Sequence, residues 1–156
     1  MLTDLRVGII GTGVMGADHA RNLAPGVRGA ALTAIADADA ARANALAQEA
    51  GGAIIYPSGE EMIASGQVDA VIIAVPDPLH APLTRACFEA GLPVLCEKPL
   101  APTAVEAADV VRAHQALERP LLTVGFMRRF DPGYRAMRAR LASGADGALL
   151  MTHSVH

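Results

Sequence analysis

The stretch Leu5-Arg6-Val7-Gly8-Ile9-Ile10-Gly11-Thr12-Gly13-Val14-Met15-Gly16 is a short apolar run feeding directly into G-x-G-x-x-G. Position gives this motif its weight, because it ends a predicted strand and begins a predicted helix. Gly11 permits the tight turn, Gly13 lets the backbone approach a pyrophosphate, and Gly16 allows close helix-strand packing. The helix N-terminus adds N–H groups and the positive end of its dipole. Thr12, Val14 and Met15 fill the variable positions and are assigned to the same binding loop. A glycine-rich turn with no ligand is the plain alternative, and the segments around the loop weigh against it.

Working outward, Ala31 to Ala36 is an apolar run ending in Asp37, and Ala70 to Val75 another ending in Pro76. Pro93 to Cys96 and Leu121 to Gly125 continue the series, with Ile54 and Ile55 marking a short sixth member. These runs are apolar throughout and do not alternate, as expected of parallel strands covered by helices on both faces. Between them lie helix signals. Ser58 with Glu61 and Thr103 with Glu106 fit capping boxes. Asp77-Pro78 and Asp131-Pro132 place a capping carboxylate before a first-turn proline. Leu79, Leu83, Ala86, Cys87 and Ala90 share one helical face, and Gly91 ends that helix. The alternation predicts an α/β fold, a Rossmann-type doubly wound parallel sheet with right-handed crossovers and ligands at the carboxyl ends of its strands.

Asp37 ends the second strand roughly 20 residues beyond the glycine loop, where a carboxylate accepts from the adenosine ribose hydroxyls. A helix cap is its alternative role. A 2′-phosphate there would face Asp37 and Asp39, and one like-charge pair at ~5 Å with an effective dielectric of ~20 costs about 3 kcal/mol before screening. NAD is therefore expected over NADP, with Arg42 the residue able to upset the preference.

The chain has 156 residues, 52% of them apolar and 19% charged, which suits one globular core. A net charge of -3 without a basic stripe argues against nucleic acid as partner. No apolar run approaches the ~20 residues of a membrane span. Asp4 and Arg6 precede a short apolar stretch that runs straight into the glycine motif, with no basic leader or cleavage site, so a cytoplasmic setting is expected. Cys87 and Cys96 lack C-x-x-C spacing and read as reduced packing residues, and no metal site is expected. His19 and His114 read as surface residues. Twelve of the thirteen basic residues are arginine, which leaves Lys98 as the sole lysine.

At the third and fourth strand ends stand Ala74-Val75-Pro76-Asp77-Pro78-Leu79-His80 and Cys96-Glu97-Lys98-Pro99-Leu100. With the glycine loop, they resemble the Gfo/Idh/MocA oxidoreductase family. Gly125-Phe126-Met127-Arg128-Arg129-Phe130-Asp131 is most similar to its inositol 2-dehydrogenase branch. The resemblance covers essentially the whole chain, and E-K-P at a strand end is far more specific than the glycine motif alone.

The resemblance implies that Lys98 sits beside the nicotinamide and contacts the hydroxyl being oxidised, as both catalytic and substrate residue. Its ammonium would favour negative charge developing on that oxygen, with burial lowering its basicity. Glu97 would line the nicotinamide-ribose side, and Pro99 would follow a cis bond. Val75, Pro76, Asp77 and His80 match the family's T-P-N-x-x-H cofactor segment, although Asp77 replaces the usual asparagine and so removes an amide donor. For His80, a helix-surface imidazole is the alternative. Met127 and Arg128 match positions that approach a polyol, and Arg128 can donate several hydrogen bonds to vicinal hydroxyls. Arg129 would brace the fold. His156 matches a substrate-side histidine, and His153, on the opposite strand face, would not join it in holding a metal.

The resemblance also implies a second α/β domain, absent here beyond its first strand, which Ala148 to Val155 would form. The expected organisation is a dinucleotide-binding domain over 1–126, then a connecting helix and that strand over 127–156. The chain then reads as a piece of a longer protein or a shortened gene product. The expected function is NAD-dependent oxidation of a polyol or sugar. The alternative is a dinucleotide-binding module or sensor without catalysis. A small-molecule substrate is the expected partner, and the resemblance leaves room for a homo-oligomer.

Overall fold

The computed structural model of the chain describes residues 4–24 and 26–153. It divides into two compact units, Met1–Gly125 and Phe126–His156.

In the first unit the strands are β1 (Leu5–Ile10), β2 (Ala30–Ala36), β3 (Ile54–Tyr56), β4 (Ala70–Ile73), β5 (Val94–Cys96) and β6 (Leu122–Val124). The helices between them are α1 (Val14–Leu23), α2 (Ala40–Glu49), α3 (Gly59–Ala64), α4 (His80–Glu89) and α5 (Ala104–Gln115). All strand pairs are parallel and the order is β3-β2-β1-β4-β5-β6. That order is the doubly wound one, whose direction of winding reverses between β1 and β4, and a crevice opens there at the carboxyl edge.

The period-2 alternation of side chains explains why the strands read as continuously apolar. Ile9, Ile35 and Ile72 face one layer, with Ala20 of α1 and Ala43, Leu46 and Ala47 of α2. Their neighbours Ile10, Ala34, Ala36, Val71 and Ile73 face the other, with Met62 of α3, Leu83 and Cys87 of α4 and Val110 of α5. Alanine at the helix-sheet contacts lets α1 and α2 lie close to the strands, which gives the abundant alanines a packing role.

Thr103 and Glu106 form the full capping box at α5. Ser58 caps α3 through the Glu61 amide, but the Glu61 carboxylate takes the Ser58 hydroxyl and leaves the backbone amide, which is half a box. Asp77 departs from expectation. The chain enters α4 through a 3-10 turn, Asp77–Leu79, and the Asp77 side chain caps nothing. The helical phase therefore starts at His80, and the buried face becomes His80, Leu83, Thr84, Cys87 and Phe88, with Leu79 and Ala90 exposed.

The second unit holds a 3-10 turn, Met127–Arg129, and α6 (Pro132–Ala142), capped by Asp131 through the amides of Gly133 and Tyr134. None of the residues of α6 is buried. The strand expected over 148–155 does not form within its described part, 148–153, which is irregular and leaves Leu149, Leu150 and Met151 exposed. A strand is stable only when its N–H and C=O groups pair, and no described strand pairs with this segment.

Candidate functional site: a cleft at the carboxyl edge of the sheet

Gly11 takes a positive φ of 94°, and a Cβ there would collide with the carbonyl of Ala74, so the turn closes β1 against the end of β4. At Gly16 a Cβ would strike the Gly11 carbonyl oxygen, which fixes how closely α1 approaches its own loop. Gly13 is different: nothing lies within 4 Å of a Cβ built there. It is the N-cap of α1 and provides no side-chain cap, so the first-turn amides of a ten-residue helix face open space. Uncapped amides beside an open backbone suit a diphosphate. A cleft of about 660 Å³ adjoins the loop, lined by Gly11, Gly13, Asp37, Ser58, Val75 and Leu79 among others. Pro76 also lines it, whereas Val14 and Met15 stand exposed at the start of α1.

Asp37 follows β2, and its side chain is 7% exposed. One carboxylate oxygen accepts from the Thr12 amide at 2.7 Å and the Thr12 hydroxyl at 2.6 Å. The other accepts from the Asp39 amide at 2.8 Å and from Arg42 at 3.1 Å. Burial alone would push this carboxyl up; the Thr12 hydroxyl, the two amides and Arg42 together outweigh it and hold the group at about 2. The helix cap expected as its alternative role is supplied by Asp39, which accepts from the amides of Ala41 and Arg42. A carboxylate offers about four acceptor positions, and all four are filled. Ribose hydroxyls reach Asp37 only by displacing a donor, and Arg42, 58% exposed and also paired with Asp39, is the one free to swing away.

Further along the same carboxyl edge, outside the lining of that cleft, β5 delivers Glu97, Lys98 and Pro99, with the Glu97 amide bonded to the Ile73 carbonyl at 2.9 Å. The Lys98–Pro99 peptide is cis. Lys98 is exposed, so the burial expected of it is not found, and its ammonium pairs with no carboxylate among the described residues. Its position after a three-residue strand puts it at the rim of the sheet, beyond the layers that cover the strands. Glu97 is buried, and its carboxylate meets Nε2 of His19 at 2.9 Å. The surface role expected of His19 is thus corrected. It lies one turn after Gly16, on the side of α1 that faces the strand ends, and that spacing was the available signal.

His80 is 1% exposed, which excludes the helix-surface imidazole. Its Nδ1 lies 2.5 Å from the Pro99 carbonyl oxygen and its Nε2 2.8 Å from that of Val75. Whichever ring nitrogen carries a proton therefore has a backbone acceptor within reach. Asp77 is exposed beside them. His114 is also no simple surface residue, because its Nε2 accepts from the amides of Leu121 and Leu122.

Within the second unit, Met127 is half exposed, and Arg128 stacks 5.1 Å over the Tyr134 ring while donating to Asp131 at 3.4 Å. Arg129 is exposed and makes no side-chain hydrogen bond among the described residues, so the bracing role expected of it is not seen. His156 lies outside the described residues.

Residues 5–126 match the family model described as an oxidoreductase family with an NAD-binding Rossmann fold. The chain belongs to the Gfo/Idh/MocA family. Inositol 2-dehydrogenase 1 of Saccharopolyspora erythraea is 48% identical over 153 residues, covering 97% of this chain and 45% of the relative. Inositol 2-dehydrogenase 2 of Paenarthrobacter aurescens is 51% identical over 155 residues, covering 97% and 46%. The crystal structure of myo-inositol dehydrogenase from Lactobacillus casei, in complex with NAD(H) and myo-inositol, superposes with a TM-score of 0.90 at 32% identity, over 95% of this chain and 44% of that one. The chain thus spans less than half the length of these relatives.

In the family's NAD-binding domain the remaining chemistry is quiet. Burial pushes the Cys87 thiol up to about 12 and the Cys96 thiol up to about 11, which fits packing residues. Among the described residues, no group of three or more His, Cys, Asp or Glu side chains could hold a metal ion, and no helix is long and apolar enough to cross a membrane.

Proposed function

We propose that this chain is the cofactor-binding part of an NAD-dependent polyol dehydrogenase of the inositol 2-dehydrogenase type, and that Lys98 is its catalytic lysine. The observation that carries the reading is the convergence of the glycine loop, Asp37, the Val75-Pro76 segment and Glu97-Lys98 on one carboxyl edge of a parallel sheet. NAD, when bound, supplies the hydride acceptor. The chain's own residues bind and orient. The open backbone at Gly13 and the first amides of α1 receive the diphosphate, with Thr12, Val14 and Met15 in the same loop. Asp37 receives the adenosine ribose once Arg42 gives way, and Val75, Pro76, Asp77, His80 and Glu97 border the nicotinamide side. Lys98, exposed at the rim, donates a hydrogen bond to the substrate hydroxyl oxygen and stabilises the negative charge that gathers there as the hydroxyl proton passes to a separate general base, the hydride leaving the carbon in the same oxidation. Met127, Arg128 and His156 contribute to the polyol side.

The two acidic residues at the ribose end support NAD over NADP, although Arg42 already neutralises part of their field. NADH is expected to bind more tightly than NADPH, as read by calorimetry, and equal affinities would overturn the preference. The binding-only alternative rests on chain length, and no feature of the site favours it. The reading extends to a cytoplasmic homo-oligomer, which sedimentation of the full-length protein tests.

In the full-length protein, Lys98→Ala is expected to keep NADH binding within about twofold and to lower inositol-dependent NADH formation by roughly 10²-fold or more. Undiminished turnover would remove Lys98 from the mechanism.

A further inference from the structure

Lys98 reaches its working position on a side chain with four rotatable bonds, so its placement is only as good as that of its backbone. Both of its neighbours are held from outside the strand by an imidazole. On one side the Glu97 carboxylate, its side chain 10% exposed, meets His19 Nε2 at 2.9 Å across 78 residues of sequence. The same carboxylate lies flat against Gly125, where a Cβ would come within 3.0 Å of its carbon and both oxygens. It therefore packs against the backbone that follows β6 and takes its side-chain partner from α1. On the other side the Pro99 carbonyl contacts Nδ1 of His80, whose Nε2 contacts the Val75 carbonyl at the end of β4. One ring thus ties the segment after β4 to the segment after β5.

We propose that His19 and His80 form a two-sided brace on Glu97-Lys98-Pro99 and act as positioning residues for the Lys98 ammonium. The proposal rests on the reading of Lys98 as the catalytic lysine. His19 adds a second consequence, because it is carried by the helix whose N-terminus receives the diphosphate. Cofactor contact at α1 and lysine placement at β5 then share one side-chain link. Loss of His19 leaves a largely buried carboxylate without its partner, and the carboxylate must move toward water and take the adjoining backbone with it.

Because Lys98 is the only lysine in the chain, protein labelled with 15N-lysine gives a single backbone amide signal, whose order parameter reports the brace directly. In the wild-type chain, without ligand, that amide is expected to be rigid, near about 0.85, and in His19→Leu to fall below about 0.6. His19→Gln, which keeps a donor at the reach of Nε2, restores rigidity. NADH affinity, measured by calorimetry, falls about tenfold in His19→Leu and returns to within about twofold in His19→Gln, since a buried charge regains a hydrogen bond. His80→Leu mobilises the same amide; should that variant fail to fold, the more exposed His19 pair decides. An equally rigid Lys98 amide in folded His19→Leu, or failure of His19→Gln to recover what His19→Leu loses, overturns the brace. Failure of the underlying reading looks different: a rigid, brace-dependent Lys98 whose replacement by alanine leaves turnover intact.

Discussion

At the β1–β2 end of the carboxyl edge, the cradle is made of backbone and of residues that the motif itself brings together. At the β4–β5 end, Lys98 stands between side chains delivered by two different helices. Gly11, Gly13 and Gly16 each do one steric task within six residues, and Asp37 closes on Thr12 through two bonds. Glu97 and Pro99, by contrast, find their partners 78 and 19 residues away. A cradle of backbone amides is insensitive to most side chains but intolerant of any at its contact points. A site held by side chains is intolerant of losing them.

The largest effect separates two glycines of the same loop. Gly16→Ala drives a Cβ into the Gly11 carbonyl, and backbone cannot step aside as a rotamer can. Stability should fall by about 3 kcal/mol, read by urea unfolding, together with loss of NADH binding. At Gly13 the Cβ of a Gly13→Val side chain meets no atom within 4 Å, and the residue sits at φ -67°, an ordinary value for any residue. The substitution should leave stability within about 1 kcal/mol while abolishing NADH binding. A Gly13→Val protein that binds NADH normally would break the view of this backbone as the diphosphate seat.

An intermediate effect tests the polar closure of that same end. Asp37 is held down at about 2 against an ordinary 3.8, so its contribution to stability is complete above about pH 4 and lost as pH falls through about 2. The difference corresponds to about 2 kcal/mol. Urea unfolding of Asp37→Asn should lack this much stability at pH 7 and converge with the wild type near pH 2. Asp69, held down at about 2 by its hydrogen bonds with Arg6, contributes to the acid limb of both proteins and cancels in the comparison. Parallel curves with a constant offset would show that Asp37 acts through packing and not through its charge.

The same contrast explains what could be read in advance. The six strands were legible because they are mostly apolar without strict alternation, and the glycine loop because each glycine answers a local steric demand. The E-K-P turn was legible through family resemblance. Partners that cross the sheet were not: His19 is one polar residue on a helix surface until β5 places a buried carboxylate beside it. Asp77 looked like a cap because Asp-Pro commonly is one, and the 3-10 entry into α4 moved the helix start past it. The segment 148–153 is apolar enough for a strand, but pairing is not a property of a segment alone.

His114 carries the smallest effect and extends the contrast to the sheet's β6 side. It resembled a solvated helix residue, and Val110 is the one buried residue of α5. Its Nε2 instead accepts from the amides of Leu121 at 3.0 Å and Leu122 at 3.2 Å, where β6 begins, and its ring lies 5.6 Å from that of Phe88. An acceptor here requires a lone pair on Nε2, hence a neutral ring with its proton on Nδ1. His114→Leu keeps the apolar contact with Phe88 and removes only the acceptor, stranding two amides of which Leu121 is buried. The expected loss is about 1 kcal/mol by urea unfolding, the typical penalty for an unsatisfied backbone donor near water. Hydrogen exchange localises it: faster exchange at Leu121 and Leu122, with the β1 and β2 amides unchanged, is the expected pattern. Uniform acceleration across the sheet would instead mean that the histidines on this side stabilise the whole domain, and the distinction between its two ends would collapse.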